Sequence, residues 1–270
     1  MQVVRTSAGE GSDRALLHLL CMLEGGEHVG TPETWRRRLT ALLTTRRTTE
    51  IPEAAWPLLH EVWSRESKEK PFQCAADLPR LTNDGRWTDS LSLWRGDITR
   101  LQAGAIVNAA NSGLTGCYVP FHACVDNAIH TAAGPWLRKA CEDIMATRGR
   151  PEPVATATVT DAFYLPSKYV LHTVGPIVQG RIPSDVDRQA LAGCYRACLA
   201  VALELALDSI GFCAISTGVF GCPKRDAALV SLAAMREFLT GHGNPPHLIL
   251  VAFSEADEAV YRRAFEEMTA

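Results

Sequence analysis

An α/β fold with a mixed central sheet, helices on both of its faces and a small helical N-terminal extension is predicted by three features of this 270-residue chain. From Ser90 onward, short apolar runs of strand length alternate with amphipathic stretches of helix length, the pattern of a sheet covered on both faces. Residues 1–70 instead carry leucines at helical spacing and prolines where helices open. Cysteines and carboxamides gather just after one apolar run, at the strand edge where α/β proteins bind ligands.

In the extension, Leu16, Leu19, Leu20 and Leu23 share one face of a first helix. Thr31-Pro32-Glu33 reads as an N-cap with proline at the first helical position. Trp35, Leu39, Leu42 and Leu43 continue that helix, with Arg36, Arg37 and Arg38 between them as a solvated face. A third helix is expected over Ile51–Arg65, again opening on a proline. Residues 71–89, charged and containing Pro, Asn and Gly, read as a linker. The α/β region then occupies residues 90–270. Strands are expected at Ser90–Arg95, Ala105–Ala109, Ala155–Phe163, Tyr169–Thr173, Ser209–Ile215 and His247–Val251. Helices are expected at Val125–Ala146, Asp185–Leu207, Lys224–Thr240 and Glu255–Met268.

A hydrophobic content of 47% and a charged content of 21% are ordinary for a globular chain long enough for one large domain and a smaller one. A net charge of −3 argues against nucleic-acid or anionic-membrane binding by bulk electrostatics. No apolar run has the length of a membrane span. Leu16–Leu23, preceded by Asp13 and followed by Glu24, reads as a helix rather than a signal peptide. Nine cysteines without a secretory signal are expected to be thiols or metal ligands, and the expectation is a cytoplasmic monomer.

Cys117, His122 and Cys124 fall within eight residues of a loop spanning 116–125. Thiolate and imidazole suit Zn²⁺ in a tetrahedral site, and this spacing is too tight for a zinc finger. Three ligands without an evident fourth leave a position for water or substrate, the catalytic pattern. A closed structural site using Asp126 or His130 is the other metal reading, and a cysteine-rich packing loop is the plainest. Asp126 either caps the following helix or orients water beside the metal. His130, one turn on, reads as a core histidine. Upstream, Val107-Asn108-Ala109-Ala110-Asn111-Ser112 is an apolar strand ending in two carboxamides.

Ser216, Thr217, Gly218, Val219, Phe220 and Gly221 lie between a strand and a helix. Hydroxyls, glycines and a helix N-terminus make an anion cradle, because backbone N–H groups can point at the ligand. In isolation this is an ordinary turn; beside the asparagine-rich strand end it reads as a phosphate loop. Lys224 comes too late for a Walker loop, and Cys222 has no evident base to make it a nucleophile. At Gly96-Asp97-Ile98, Asp97 either N-caps a short helix or accepts an amino hydrogen from a purine, with Ile98 packed beside it. Cys194 and Cys198, one helical turn apart, read as buried thiols, as do Cys141 and Cys213.

In order and spacing, Gly96-Asp97-Ile98, Ile106–Asn111, Asp126–His130 with Ala133-Gly134, and Ile215–Gly221 resemble the macrodomain family, the ADP-ribose-binding α/β/α module. The resemblance covers roughly residues 90–270. Ordinary MacroD-type hydrolases have a glycine-rich segment where this chain has the Cys117/His122/Cys124 loop. The chain is thus more similar to the zinc-containing macrodomains of microbes, which carry a helical extension and act as protein-ADP-ribose hydrolases. This resemblance implies that Asp97 holds the adenine amino group beside Ile98. It places Ser216, Thr217, Gly218, Val219 and Phe220 around the diphosphate, with Phe220 also against the distal ribose. Asn111 would hydrogen-bond that ribose, and Cys124, Val125 and Asp126 would border it. The implied activity is zinc-dependent removal of mono-ADP-ribose from modified protein side chains, with Asn111 and Asp126 catalytic and one Zn²⁺ on Cys117, His122 and Cys124. Esters to Asp or Glu are the expected linkage, since they need less acid assistance than an N-glycoside to arginine. The implied partners are ADP-ribose and mono-ADP-ribosylated protein. Deacetylation of O-acetyl-ADP-ribose and non-catalytic reading of ADP-ribose are the alternatives for the same pocket.

Overall fold

The computed structural model describes residues 10–81 and 86–269. The first nine residues of the expected extension, residues 82–85 of the expected linker and Ala270 lie outside them.

Three helices open the chain: α1 (Glu10–Glu24), α2 (Pro32–Thr45) and α3 (Trp56–Glu69). Leu16, Leu19, Leu20 and Leu23 are all buried, as their shared face predicts, in a core with Leu39, Leu59, Val62 and Trp63. Thr31 caps α2 through a reciprocal box with Thr34, and Pro32 occupies the first turn. α3 begins later than expected. Pro52 leads only into a short 3₁₀ turn over Glu53–Ala55, and the helix starts at Trp56 with Pro57 in its first turn. A proline fits there because the first-turn N–H groups have no partner within the helix.

β1 (Gln73–Cys74) pairs in parallel with β3 (Leu101–Gln102), on either side in sequence of β2 (Leu91–Arg95). The remaining elements are β4 (Ala105–Ala109), α4 (Val125–Ala133), α5 (Pro135–Arg148), β5 (Thr158–Asp161), β6 (Tyr169–Thr173), α6 (Asp185–Glu204), β7 (Ser209–Phe212), α7 (Lys224–Gly241), β8 (His247–Ala252) and α8 (Glu255–Thr269). The central sheet runs β2-β8-β7-β4-β6-β5, with every pair parallel except the edge pair β5–β6. β7 and β8 are buried throughout, as continuous apolar strands covered on both faces should be. α4 packs on α5, while α6, α7 and α8 pack in succession. The chain moves from β4 towards β6 on one side and then back past it to β7, and right-handed crossovers put these two helix groups on opposite faces.

The expected long helix Val125–Ala146 is two helices. Gly134 takes φ +84° and Pro135 opens the second, so the chain turns between them; a side chain at 134 would meet the Trp63 ring at 3.0 Å. The expected strand Ala155–Phe163 shrinks to β5, because Ala155 and Phe163 both take left-handed φ values. β7 ends at Phe212 rather than Ile215, where the chain leaves the sheet towards the 216–221 loop.

Candidate functional site

The strand order reverses at β4, which has β6 on one side and β7, reached from β6 through α6, on the other. The crevice outside the strand ends at such a point is where open α/β sheets take ligands. Asp97 follows β2, the 216–221 loop follows β7, and Asn111 follows β4. Across the order β2-β8-β7-β4 these three strand ends cover three strand spacings, about 14 Å.

Asn111 and Asp126 come together at the β4 end, with Asn111 Nδ2 at 3.4 Å from Asp126 Oδ2. Asn111 also donates to the Gly116 carbonyl at 3.1 Å and accepts from the Gly113 N–H at 2.9 Å, so its amide plane is held from both ends. Asp126 is 5% exposed. Asn108 Nδ2 donates to its Oδ1 at 2.8 Å and lies 3.1 Å from His172 Nδ1. Burial raises the Asp126 carboxyl to about 6, against the lowering influence of Asn108 and of the Arg138 guanidinium. His130 Nε2 lies 3.6 Å from Asp126, but this is not an ion pair at neutral pH, because burial holds the imidazole pKa well below its ordinary range.

Cys117, His122 and Cys124 bring two Sγ atoms and an imidazole nitrogen within 4.8 Å of one another. Cys117 Sγ and His122 Nδ1 are 3.4 Å apart, close to the about 3.5 Å that tetrahedral Zn–S and Zn–N bonds impose on neighbouring ligands. Cys124 is also the N-cap of α4, its sulfur accepting from the Asn127 N–H at 3.4 Å. Burial, with Cys117 and Asp126 alongside, pushes its thiol up to about 11, so it ionises at neutral pH only beside a cation. The donor set, its spacing and its partial exposure fit a metal with a position left for a further ligand. Val125, next in the chain, is half-buried at the start of α4.

At the β7 end, Ser216 takes φ +65° with its hydroxyl buried and unpartnered. The loop is closed by bonds from Gly221 N–H to the Gly218 carbonyl and from Cys222 N–H to the Ser216 carbonyl, both 3.0 Å. Thr217 is tied down by its own hydroxyl on the Ala214 carbonyl. Among the described residues, the amides of Gly218, Val219 and Phe220 have no backbone acceptor. Gly218 and Val219 are exposed, and Phe220 packs against a small cluster of Ala110, Leu114, Cys141 and Val174, two of which flank Asn111 in the chain. At the β2 end, one Asp97 oxygen accepts from both the N–H and the hydroxyl of Thr99 at 2.9 Å, the expected N-cap. Ile98 is buried, and its turn packs against α4.

Three participants escaped the sequence reading as site residues. Asn108 is a fully buried carboxamide inside a strand whose alternation gives no hint of an exposed face. Phe253, 79% exposed, follows β8 directly after Ala252, whose carbonyl accepts from the Gly96 N–H; an aromatic directly after an apolar strand was the available signal. Arg138 lies on α5, and only the tertiary fold brings it near the site.

The layered fold, with ligand-binding loops at a topological switch point, defines a three-layer α/β/α ligand-binding domain. The Macro domain family profile matches residues 107–231. The chain is 49% identical over 188 residues to a protein-ADP-ribose hydrolase of Treponema medium, covering 70% of this chain and 71% of that one. It is 40% identical over 177 residues to a protein-ADP-ribose hydrolase of Staphylococcus aureus (strain MRSA252), covering 66% of each. A point mutant of the Oceanobacillus iheyensis macrodomain solved with ADPR superposes with a TM-score of 0.60 at 38% identity, over 66% of this chain and 92% of that one. The chain belongs to the Macro domain family.

Proposed function

We propose that this protein removes mono-ADP-ribose from modified protein side chains, most naturally from esters to Asp or Glu, with one zinc held by Cys117, His122 and Cys124. The observation that carries this reading is the Asn111–Asp126 pair standing at the same strand end as the three metal donors. The names of the relatives, protein-ADP-ribose hydrolases, support the reaction class.

An extended ADP-ribose fits the order of the strand ends. Asp97 and the Phe253 ring would take the adenine by hydrogen bond and stacking. The free amides at Gly218, Val219 and Phe220 would hold the diphosphate, since convergent N–H groups bind anions without a cationic side chain. Phe220 would lie against the distal ribose. Asn111 would fix a ribose hydroxyl with the amide orientation that Gly116 and Gly113 impose. Asp126, tethered by Asn108, would orient the attacking water. The leaving group from an ester is a carboxylate, which departs without a protein acid. A bound zinc would supply Lewis-acid polarisation of an oxygen at the distal ribose.

The test is release of ADP-ribose from a protein mono-modified on acidic residues, with and without a zinc chelator. Release that stops on chelation while the circular dichroism spectrum is unchanged supports the proposal. Tight ADP-ribose binding with no release from any linkage would make the protein a reader. Metal analysis should give about one zinc per chain, falling sharply in Cys117→Ser.

A further inference from the structure

We propose that the N-terminal helical layer is a working part of the metal site, clamping the loop that carries Cys117 and His122 and thereby setting how tightly the metal is held. The inference rests on the reading of Cys117, His122 and Cys124 as zinc ligands.

Two guanidinium groups make the connection. Arg138, on α5 and 5% exposed, donates from Nη1 to the carbonyls of Leu43, Thr44 and Arg46 at 2.7–2.8 Å. Those carbonyls lie at the end of α2, where helix geometry leaves them without internal partners. Its Nε donates to the Thr115 carbonyl at 2.8 Å, and its guanidinium carbon lies 4.4 Å from the centre of the Tyr118 ring. One cation therefore ties the end of α2 to both sides of Cys117. Cys117 itself lines a small cavity between the layers, with Thr44, Thr48, Trp63 and Arg138.

The second connection is Arg37, on α2. Its neighbours Arg36 and Arg38 pair with Glu66 and Glu24, each at 2.5 Å. Arg37 instead lies over the Phe121 ring, 4.3 Å from its centre. Phe121 directly precedes His122 and takes φ +60°. The His122 N–H closes this turn on the Val119 carbonyl at 3.2 Å, with Pro120 second and Phe121 third. A left-handed third position in such a turn ordinarily belongs to glycine. A bulky residue held there is strained, and strain persists where surrounding contacts enforce it. The ring that glycine lacks is the one Arg37 covers.

The experiment uses the zinc-loaded full chain and follows zinc transfer to a chromogenic chelator, with melting temperature and calorimetric ADP-ribose affinity as controls. Arg37→Ala is expected to speed zinc loss about two- to fivefold, the worth of an exposed cation–π contact. Phe121→Gly should do the same although glycine suits the turn better, and the double variant should lose zinc no faster than the quicker single. Melting and ADP-ribose affinity should stay near wild type in Arg37→Ala. Zinc retained equally well by Phe121→Gly, or strictly multiplicative effects in the double variant, overturns the clamp while leaving the metal site standing. A wild-type chain that carries no zinc overturns the metal reading and the clamp with it.

Discussion

Asp126 is fixed from behind by a buried line of polar groups: Asn108 donates to it, His172 Nδ1 lies against Asn108, and the Thr160 hydroxyl meets the other ring nitrogen, Nε2, at 3.0 Å. Replacing Asn108 with leucine leaves a buried carboxylate oxygen without its donor, a loss of about 1–3 kcal/mol. Asn108→Leu should therefore lower the melting temperature and reduce turnover more than ADP-ribose affinity; unchanged turnover in a folded variant would remove Asn108 from the site. Asn111→Ala takes away the group proposed to fix the distal ribose. Single-turnover assays should show release slowed by about 100-fold, within the usual range for a positioned polar group, with calorimetric affinity much less affected. At this scale, the candidate residues were legible in the sequence, and the structure brings them together: two thiols with an imidazole, a carboxamide, and the carboxylate that follows their loop. Asn108 was visible as part of its motif, but its role depends on which buried neighbour its amide meets.

Loops after parallel strands carry this site, and their local signals differed in strength. The 216–221 loop was marked in the sequence by its glycines and hydroxyls, and its backbone makes the proposed phosphate role testable at one position. A side-chain carbon at 218 would meet nothing within 4 Å, and Gly218 does not occupy the left-handed region. Gly218→Val should thus leave the melting temperature nearly unchanged while weakening ADP-ribose binding at least tenfold, by standing where the diphosphate approaches; binding at wild-type strength would overturn the phosphate-loop assignment. Gly116 is the opposite case. Its φ is +86°, and a side chain there would press on the His130 ring at 2.9 Å, so the loop carrying Cys117 can pass over α4 only at glycine. The helix break at Gly134-Pro135 could have been read from that dipeptide, whereas the early end of β5 was masked: apolar residues with strand propensity lie beyond it, in a turn closed by the Leu165 N–H on the Ala162 carbonyl.

Across the whole molecule, burial decides the charge states that govern acid stability. His172 packs among Asn108, Thr160, Cys141 and His130, and burial lowers its pKa to about 4. His247 is lowered to about 4 as well, by burial and then by Arg80, with Asp208 opposing and Ser92 hydrogen-bonded to it. An unfolded chain titrates both near 6.5, so between that value and about 4 it binds more protons than the folded protein. Their share of the stability therefore rises with pH through this window and is lost as pH falls through it, offset in part by Asp126, whose carboxyl stays protonated up to about 6 in the fold. Urea denaturation from pH 7 to pH 4.5 should show a falling midpoint, with the slope reduced in His247→Gln; a flat profile would contradict the burial of these neutral rings. The helical layer joins the sheet domain through polar and aromatic contacts: Trp63 donates to the Thr131 carbonyl at 3.1 Å, Thr48 bonds Glu142, and Trp56, Trp136 and Tyr164 cluster. Among the described residues no helix is long and apolar enough to cross a membrane.

Periodicity, capping residues and the order of its motifs were enough for the sequence alone to determine the layered α/β class, the helical extension, and the residue types at each strand end, because these depend on neighbours within a few positions. Tertiary structure alone decided how the pieces meet. It set Asn111 against Asp126, put Asn108 and two neutral histidines behind them, and carried Arg37 and Arg138 to the loop that bears Cys117 and His122. Such contacts join residues tens of positions apart, so their partners depend on the completed packing of layers and leave no periodic trace in the chain.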